Sequence, residues 1–225
     1  ADTAARIGPE RAVQKGWITP KAMLTATAVV LLCAFIVGVY LIAIGGVPIA
    51  IIGIASLVCA LAYTGGPYPL AYVGLGDVFV FVFFGLAAVV GTTWVQTLAA
   101  PPAAWVGGAC MGLLATAILV VNNLRDRETD AAAHKRTLAV RFGARFARME
   151  HAFTIATPFA VAGLGFAFGW VPLLAAALPT LALPIAIHEI RSVWRRDGPA
   201  LNPHLGGAAR LELIFGLLFS LGCML

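Results

Sequence analysis

Charge is scarce in this chain, and over one long stretch it is missing. From Val78 to Leu124 there is no Asp, Glu, Lys or Arg. Charged residues make up 11% of the chain against 61% hydrophobic, and the mean hydropathy is +0.94. A soluble domain carries about 25% charged residues, so a soluble fold is excluded and an all-α, polytopic transmembrane helix bundle is expected. Cysteine carries no chemistry. Cys33, Cys59, Cys110 and Cys223 lie in apolar runs with no C-x-x-C pair, which reads as buried structural thiols. His134, His151, His188 and His204 are scattered near loop regions and suggest no metal site. The basic residues lie between apolar runs, so the net charge of +5 reports topology and phosphate affinity, and no nucleic acid is expected as a partner. The chain begins at Ala1 in a charged segment, with neither an initiator Met nor a signal peptide, so a further upstream part is expected.

What is present is a series of apolar runs punctuated by breakers. A crossing of about 30 Å needs about 20 residues. On that measure there are seven spans, near 21–44, 47–63, 75–96, 103–121, 148–168, 173–187 and 210–225, in a single domain over 1–225. Thr19-Pro20 reads as a helix cap followed by Pro at the first helical position. Gly45-Gly46, Pro101-Pro102 and Gly169-Trp170-Val171-Pro172 read as turns. Residues 188–208 read as a solvated, charged loop. All 15 Lys and Arg fall within 1–21, 125–148 and 191–210. Alternate crossings place those segments and the 64–76 loop on one side, and the positive-inside rule makes that side cytoplasmic, with the bilayer the inner (plasma) membrane.

The apolar stretch ends in V-N-N-L-R-D-R-E-T-D-A-A-A-H-K-R-T-L-A-V-R-F-G, residues 121–143. On a helix, Asp126 and Asp130 are one turn apart on one face, and Asn122 joins that face. Two carboxylates and an amide oxygen suit Mg²⁺, which takes one or two carboxylates and completes its shell with water and substrate phosphate. Arg125, Lys135, Arg136 and Arg141 lie close in sequence. Guanidinium matches phosphate bidentately and Lys acts as a point charge. Acid for metal beside base for phosphate is the composition of a metal–diphosphate site. The competing reading is an ordinary solvated loop flanking a membrane helix.

The pattern N-x-x-x-D-x-x-x-D at Asn122, Asp126 and Asp130 resembles the second aspartate-rich motif of the membrane-embedded aromatic prenyltransferases. The strings N-N-L-R-D-R-E-T-D and K-R-T-L-A-V-R-F-G resemble one branch, the 1,4-dihydroxy-2-naphthoate polyprenyltransferases of menaquinone synthesis. His134 departs from that pattern, where Gly precedes the Lys. The resemblance implies that Asp126, Asp130, Asn122 and Lys135 are catalytic, with the first three on Mg²⁺ and Arg125, Asn123 and Arg141 on substrate. It implies a polyprenyl diphosphate as donor and 1,4-dihydroxy-2-naphthoate as acceptor, joined with loss of CO₂ to give demethylmenaquinone.

Two further strings carry the likeness. A-D-T-A-A-R-I-G-P-E-R resembles the loop after the family's first aspartate-rich motif. On that match two helices of a nine-helix bundle lie upstream of the seven here, and Asp2 is the tail of a metal motif or a loop residue. Arg6 and Arg11 are a lid on the diphosphate or positive-inside anchors. The second string, T-G-G-P-Y-P-L with G-L-G-D, holds residues 64–77. Tyr63, Tyr68 and Tyr72 stack on substrate or belong to an interfacial aromatic belt. Asp77, alone near an apolar span, is costly unless paired or functional. The Lys-Arg pair of 4-hydroxybenzoate-using relatives is missing from this loop, which favours the naphthoate branch over another acceptor such as 4-hydroxybenzoate or a chlorophyllide. A secondary transporter of an anionic solute is the rival class, but it places its acids near the bilayer midplane, not at a basic membrane edge.

Overall fold

The computed structural model describes residues 12–64 and 72–225; of Tyr63 and Thr64 it describes the backbone alone. Among these residues all the regular structure is helical. In chain order the helices are α1 Pro20–Thr64, α2 Gly76–Thr97, α3 Pro102–Arg125, α4 Arg127–Ala132, α5 Leu138–Ala167, α6 Leu173–Trp194 and α7 Asn202–Met224.

Five helices are long and apolar enough to cross a membrane: α1, α2, α3, α6 and the segment Gly198–Met224 that contains α7. The seven expected spans do not map one to one onto these. The first two lie in α1, which breaks at Gly46 (φ 67°, ψ −151°) with Pro48 opening the second arm. Only glycine takes that backbone without penalty. Trp94 Nε1 donates to Gly45 O at 2.8 Å and ties the break to α2. Both arms and α2 line an apolar cavity of about 540 Å³. The expected fifth span is α5, which at 30 residues is long enough but is not among the five. It also starts ten residues before its expected limit, at Leu138, and breaks at Gly143 (φ 84°, ψ 174°). Thr19 Oγ1 accepts from Ala22 N at 3.2 Å, so the cap before Pro20 forms where the residues suggested.

α3 is the central helix. It packs against α5, α2 and α7. One core cluster joins Val106, Cys110, Leu114 and Ala117 of α3 to Ile155 and Ala162 of α5, Ala182 and Ala186 of α6, and Leu211, Phe215 and Phe219 of α7. A second cluster, Val120, Val121, Leu124, Ala139, Ala147, Val193 and Leu201, closes the end of the bundle where the charged motif begins. Outward faces stay apolar: Leu24, Val30, Val47 and Leu61 of α1 are each about two-thirds exposed or more. Such faces need hydrocarbon around them, since apolar patches of this extent are rare on soluble proteins.

The contact between α2 and α3 is made by glycine. A Cβ at Gly85 would overlap Gly112 Cα and Gly108 O, and a Cβ at Gly112 would lie 2.6 Å from Phe81 O. Backbone meets backbone here, and α2 winds as a π-helix over Phe81–Ala87. This seam fixes the height of α2, and with it the position of Asp77.

The expected loop 188–208 is mostly helix. α6 runs on to Trp194 and α7 begins at Asn202, leaving only a short connection. Glu189, read as solvated, is buried at 4% exposure against His204, with 2.7 Å between its Oε2 and His204 Nδ1. A hydrogen-bond donor 15 residues away, itself held by Arg196 at 2.9 Å, lets the charge leave water.

Candidate active site

Three connections meet at one end of the bundle. Arg136 N donates to Tyr72 O at 2.9 Å and Arg141 Nη2 to Val73 O at 2.7 Å, which straps the segment before α2 to the start of α5. Arg148 Nη2 donates to Asp197 Oδ2 at 2.7 Å, joining α5 to the segment after α6. Arg125 Nη1 donates to Asn202 Oδ1 at 3.0 Å, joining α3 to α7. Gly74 sits inside the first strap with φ +78°, and a Cβ there would lie 2.8 Å from Arg136 O.

The single helix expected through the motif is interrupted. α3 ends at Arg125, Asp126 is a junction residue (φ −92°, ψ 7°), and α4 starts at Arg127. The interruption keeps the helical spacing of the acids, because Asp130 N still donates to Asp126 O at 2.8 Å. α4 then closes in a Schellman turn: His134 N donates to Ala131 O at 3.1 Å and Lys135 N to Asp130 O at 2.8 Å. That turn requires a left-handed residue, and His134 supplies it at φ 56°. A non-glycine residue there costs roughly 1–2 kcal/mol. His134→Gly is therefore expected to raise stability by about 1 kcal/mol, read as a higher unfolding midpoint; an unchanged or lower midpoint would contradict the strain.

Each carboxylate is met by a cation of its own segment. The Arg125 guanidinium is buried and grips Asp126 with two bonds of 2.7 Å, while its Nη2 also donates to Asn122 Oδ1 at 2.8 Å. Lys135 Nζ lies 3.1 Å from Asp130 Oδ2. Burial pushes the Asp130 carboxyl above the usual carboxylate range, Lys135 pulls it back, and neighbouring Asp126 adds to the rise. Asn123 turns the other way. It lines a small polar cleft with Asp77, Lys135 and Thr137, and Asp77 Oδ1 is buried there without a hydrogen-bond partner among the described residues. Thr137 caps α5 by accepting from Val140 N at 3.3 Å.

The structure thus brings together Asn122, Asn123, Arg125, Asp126, Asp130, Lys135 and Asp77, with Arg141 and Tyr72 on the adjoining strap. Asp2, Arg6, Arg11 and Tyr68 lie outside the described residues, as does the side chain of Tyr63. Asn202 and Thr137 were not singled out from sequence. Asn202 carries no local signal, since its partner is 77 positions away. Thr137 was inside the quoted K-R-T string, where a cap before an apolar run is a readable feature.

Among the described residues no three His, Cys, Asp or Glu cluster as a ready metal cage. The donor set still fits Mg²⁺ as a partial site, because that ion needs only one or two carboxylates from protein. A half-buried Asp130 with a raised carboxyl is a group that a cation would stabilise. Asn122 Oδ1 is already an acceptor for Arg125, which makes it a weaker donor to metal than the carboxylates.

Comparison with known proteins completes the assignment. A sequence profile of the UbiA prenyltransferase family matches residues 1–205. The 1,4-dihydroxy-2-naphthoate octaprenyltransferase of Haemophilus influenzae is 38% identical over 232 residues, covering 100% of this chain and 75% of that protein. The enzyme of the same name from Escherichia coli is 36% identical over 238 residues, again with 100% and 75% covered. The one from Mycobacterium leprae is 38% identical over 205 residues, with 89% and 67% covered. With its apolar helices and this match over nearly the whole length, the chain belongs to the UbiA prenyltransferase family and is an integral membrane prenyltransferase.

Proposed function

We propose that this enzyme transfers a polyprenyl group from polyprenyl diphosphate to 1,4-dihydroxy-2-naphthoate, with loss of CO₂ and in the presence of Mg²⁺, to give the prenylated naphthalene-1,4-diol, which is the reduced (quinol) form of demethylmenaquinone. The observation that carries the reading is the pair Asp126 and Asp130, held one turn apart at the rim of an apolar bundle and flanked by Arg125 and Lys135. The names of the three bacterial relatives support the acceptor. The acids lie at a helix end, where a diphosphate stays hydrated while its isoprenoid tail lies along apolar surface; each buried CH₂ contributes about 0.8 kcal/mol. The site faces the cytoplasm of the inner membrane on the charge bias of the loops.

Arg125 acts as a positioning residue. Four of its N–H donors are used within the protein, two of them on Asp126, so it orients that carboxylate and has little left for substrate. Lys135 and Arg141 remain to face the diphosphate, with Asn123 and Asp77 on the cleft beside them. Mg²⁺ when bound supplies neutralisation of the diphosphate and stabilises it as a leaving group. The allylic C–O bond then breaks with its electron pair going to the diphosphate, where Lys135 meets the developing charge. The acceptor ring attacks the allylic carbon at its carboxylated position. The carboxylate leaves as CO₂, and its bonding pair restores the aromatic ring.

The test is an assay of the purified protein with octaprenyl diphosphate and, in separate reactions, 1,4-dihydroxy-2-naphthoate, 4-hydroxybenzoate or chlorophyllide, with and without Mg²⁺. Product mass reports acceptor, tail and loss of 44 Da (the mass of CO₂) together. Transfer to 4-hydroxybenzoate alone, or equal transfer after chelation, would overturn the reading. Arg125→Lys is expected to lower activity about 10- to 100-fold, because an ammonium cannot hold Asp126, Asn122 and Asn202 in one plane. The loss should fall on Mg²⁺ affinity, so excess Mg²⁺ should restore part of it; a loss that Mg²⁺ leaves unmoved would mean that Arg125 acts elsewhere.

A further inference from the structure

A second basic feature lies on α6, apart from the carboxylate pair. Pro184, Ile187, His188, Arg191 and Arg195 recur at spacings of three and four, which aligns them on one helix face. With Arg196 they line an open cavity of about 590 Å³. The face changes character along its axis. Ile187, 45% exposed, and Pro184 make an apolar floor, His188 follows, and Arg191 and Arg195 are exposed at the end. Ile187 to Arg195 is eight residues, about 12 Å of helix rise. Trp194, half-exposed, stands beside the arginines, as an aromatic ring does at a membrane–water boundary.

The charges around this face do not cancel. Arg196 Nη1 lies 2.9 Å from His204 Nε2, and His204 Nδ1 lies 2.7 Å from Glu189 Oε2. A guanidinium can only donate, so Nε2 accepts and the ring proton is on Nδ1, donated to Glu189. Glu189 and Arg196 therefore offset each other through the imidazole. Gly207 makes this possible, since a Cβ there would overlap the Glu189 carboxylate. Asp197 is taken by Arg148 at 2.7 Å. Among the described residues Arg191 and Arg195 have no ion pair, and they leave two positive charges at the cavity.

We propose that this cavity binds the phosphate headgroup of an anionic phospholipid, with Arg191 and Arg195 on the phosphate and the first acyl segment on Ile187 and Pro184. Basic clusters at the membrane surface attract anionic lipid, and the order from apolar to basic along α6 matches the order from tail to headgroup in a lipid. A free phosphate would use the arginines and leave the apolar half without a role. The site is independent of the prenyl-transfer assignment.

The experiment titrates the purified protein with dihexanoyl phosphatidylglycerol, dihexanoyl phosphatidylcholine or inorganic phosphate, and counts adducts by native mass spectrometry. Phosphatidylglycerol is expected to bind and the zwitterionic lipid to bind at least tenfold more weakly. Arg191→Gln with Arg195→Gln should lower affinity for phosphatidylglycerol roughly thirtyfold, at roughly fivefold per basic residue, and the double Lys variant should keep most of it. Arg145→Gln, an exposed arginine on α5, controls for general loss of surface charge and is expected to bind as the parent does. Undiminished binding by the double Gln variant, or an equal loss in the Arg145 variant, overturns the site. Inorganic phosphate binding as tightly as phosphatidylglycerol overturns the lipid as its ligand.

Discussion

Asp126→Ala and Asp130→Ala are each expected to reduce prenyl transfer about a thousandfold or more, with product formed at saturating Mg²⁺ as the measurement. The two losses have different structural consequences. Asp126→Ala also strips Arg125 of its bidentate partner inside the protein, and an unpaired buried guanidinium costs roughly 3–5 kcal/mol. Asp130→Ala removes a half-buried carboxylate whose ion-pair partner among the described residues is the partly exposed Lys135, so its fold should be nearly unaffected. Asp130 is therefore the cleaner test of the metal assignment, and a variant at 130 that keeps a tenth of the parent activity would sink it. The same carboxyl sets a pH dependence. Its proton affinity is raised by burial, so as pH falls it is protonated before an ordinary carboxylate would be. Capture of Mg²⁺, and with it activity at subsaturating Mg²⁺, is then expected to fall on an acid limb above the usual carboxylate range. Lys135→Met removes the opposing charge and should move that limb to higher pH. A limb that stays in place would show that another group controls it.

Gly112→Val dismantles the bundle without touching a charged residue. The new Cβ would lie 2.6 Å from Phe81 O and 2.9 Å from the Phe81 ring, with Gly85 Cα at 3.2 Å. A ring can turn aside, but two of these neighbours are backbone, so α2 and α3 must separate. Overpacking of this kind costs typically 1–3 kcal/mol per site, and a backbone clash lies at or beyond the upper end. A loss of about 3 kcal/mol or more in unfolding free energy is expected, together with loss of activity as Asp77 leaves the cleft it shares with Lys135. Gly163→Val on α5 is the matched control, since nothing lies within 4 Å of its added Cβ. Equal stability of the two variants would show that the seam is softer than its geometry.

Much of this was readable in the chain before folding. Hydropathy is local, so the apolar runs marked where helices cross, and Thr19 with Pro20 marked a helix start that the hydrogen bond at Ala22 repeats. Two of the three segments that hold the 15 Lys and Arg, 125–148 and 191–210, meet at one end of the bundle through Arg148 and Asp197 and through Arg125 and Asn202. The Asn122, Asp126 and Asp130 spacing named the family, since motif order does not depend on tertiary contacts. Local pattern failed where a residue's state depends on a distant partner. The charges from Glu189 to Asp197 all read as a solvated loop. Yet Glu189 is buried because His204 reaches it, and the helix around it extends because that charge is satisfied. The break at Asp126 was likewise hidden: a helical reading of 122–130 is locally sound, and the clamp of Arg125 on Asp126, Asn122 and Asn202 depends on α7 arriving beside α3.

Composition and residue order alone determined a membrane-embedded helical protein with its ionisable motif at the end of an apolar run, because the free energy of placing a side chain in hydrocarbon is set by that side chain. Which cations hold which carboxylates, and how closely α2 approaches α3 at Gly85 and Gly112, only the tertiary structure decided, because pairing and close packing are properties of two surfaces that meet far apart in the chain.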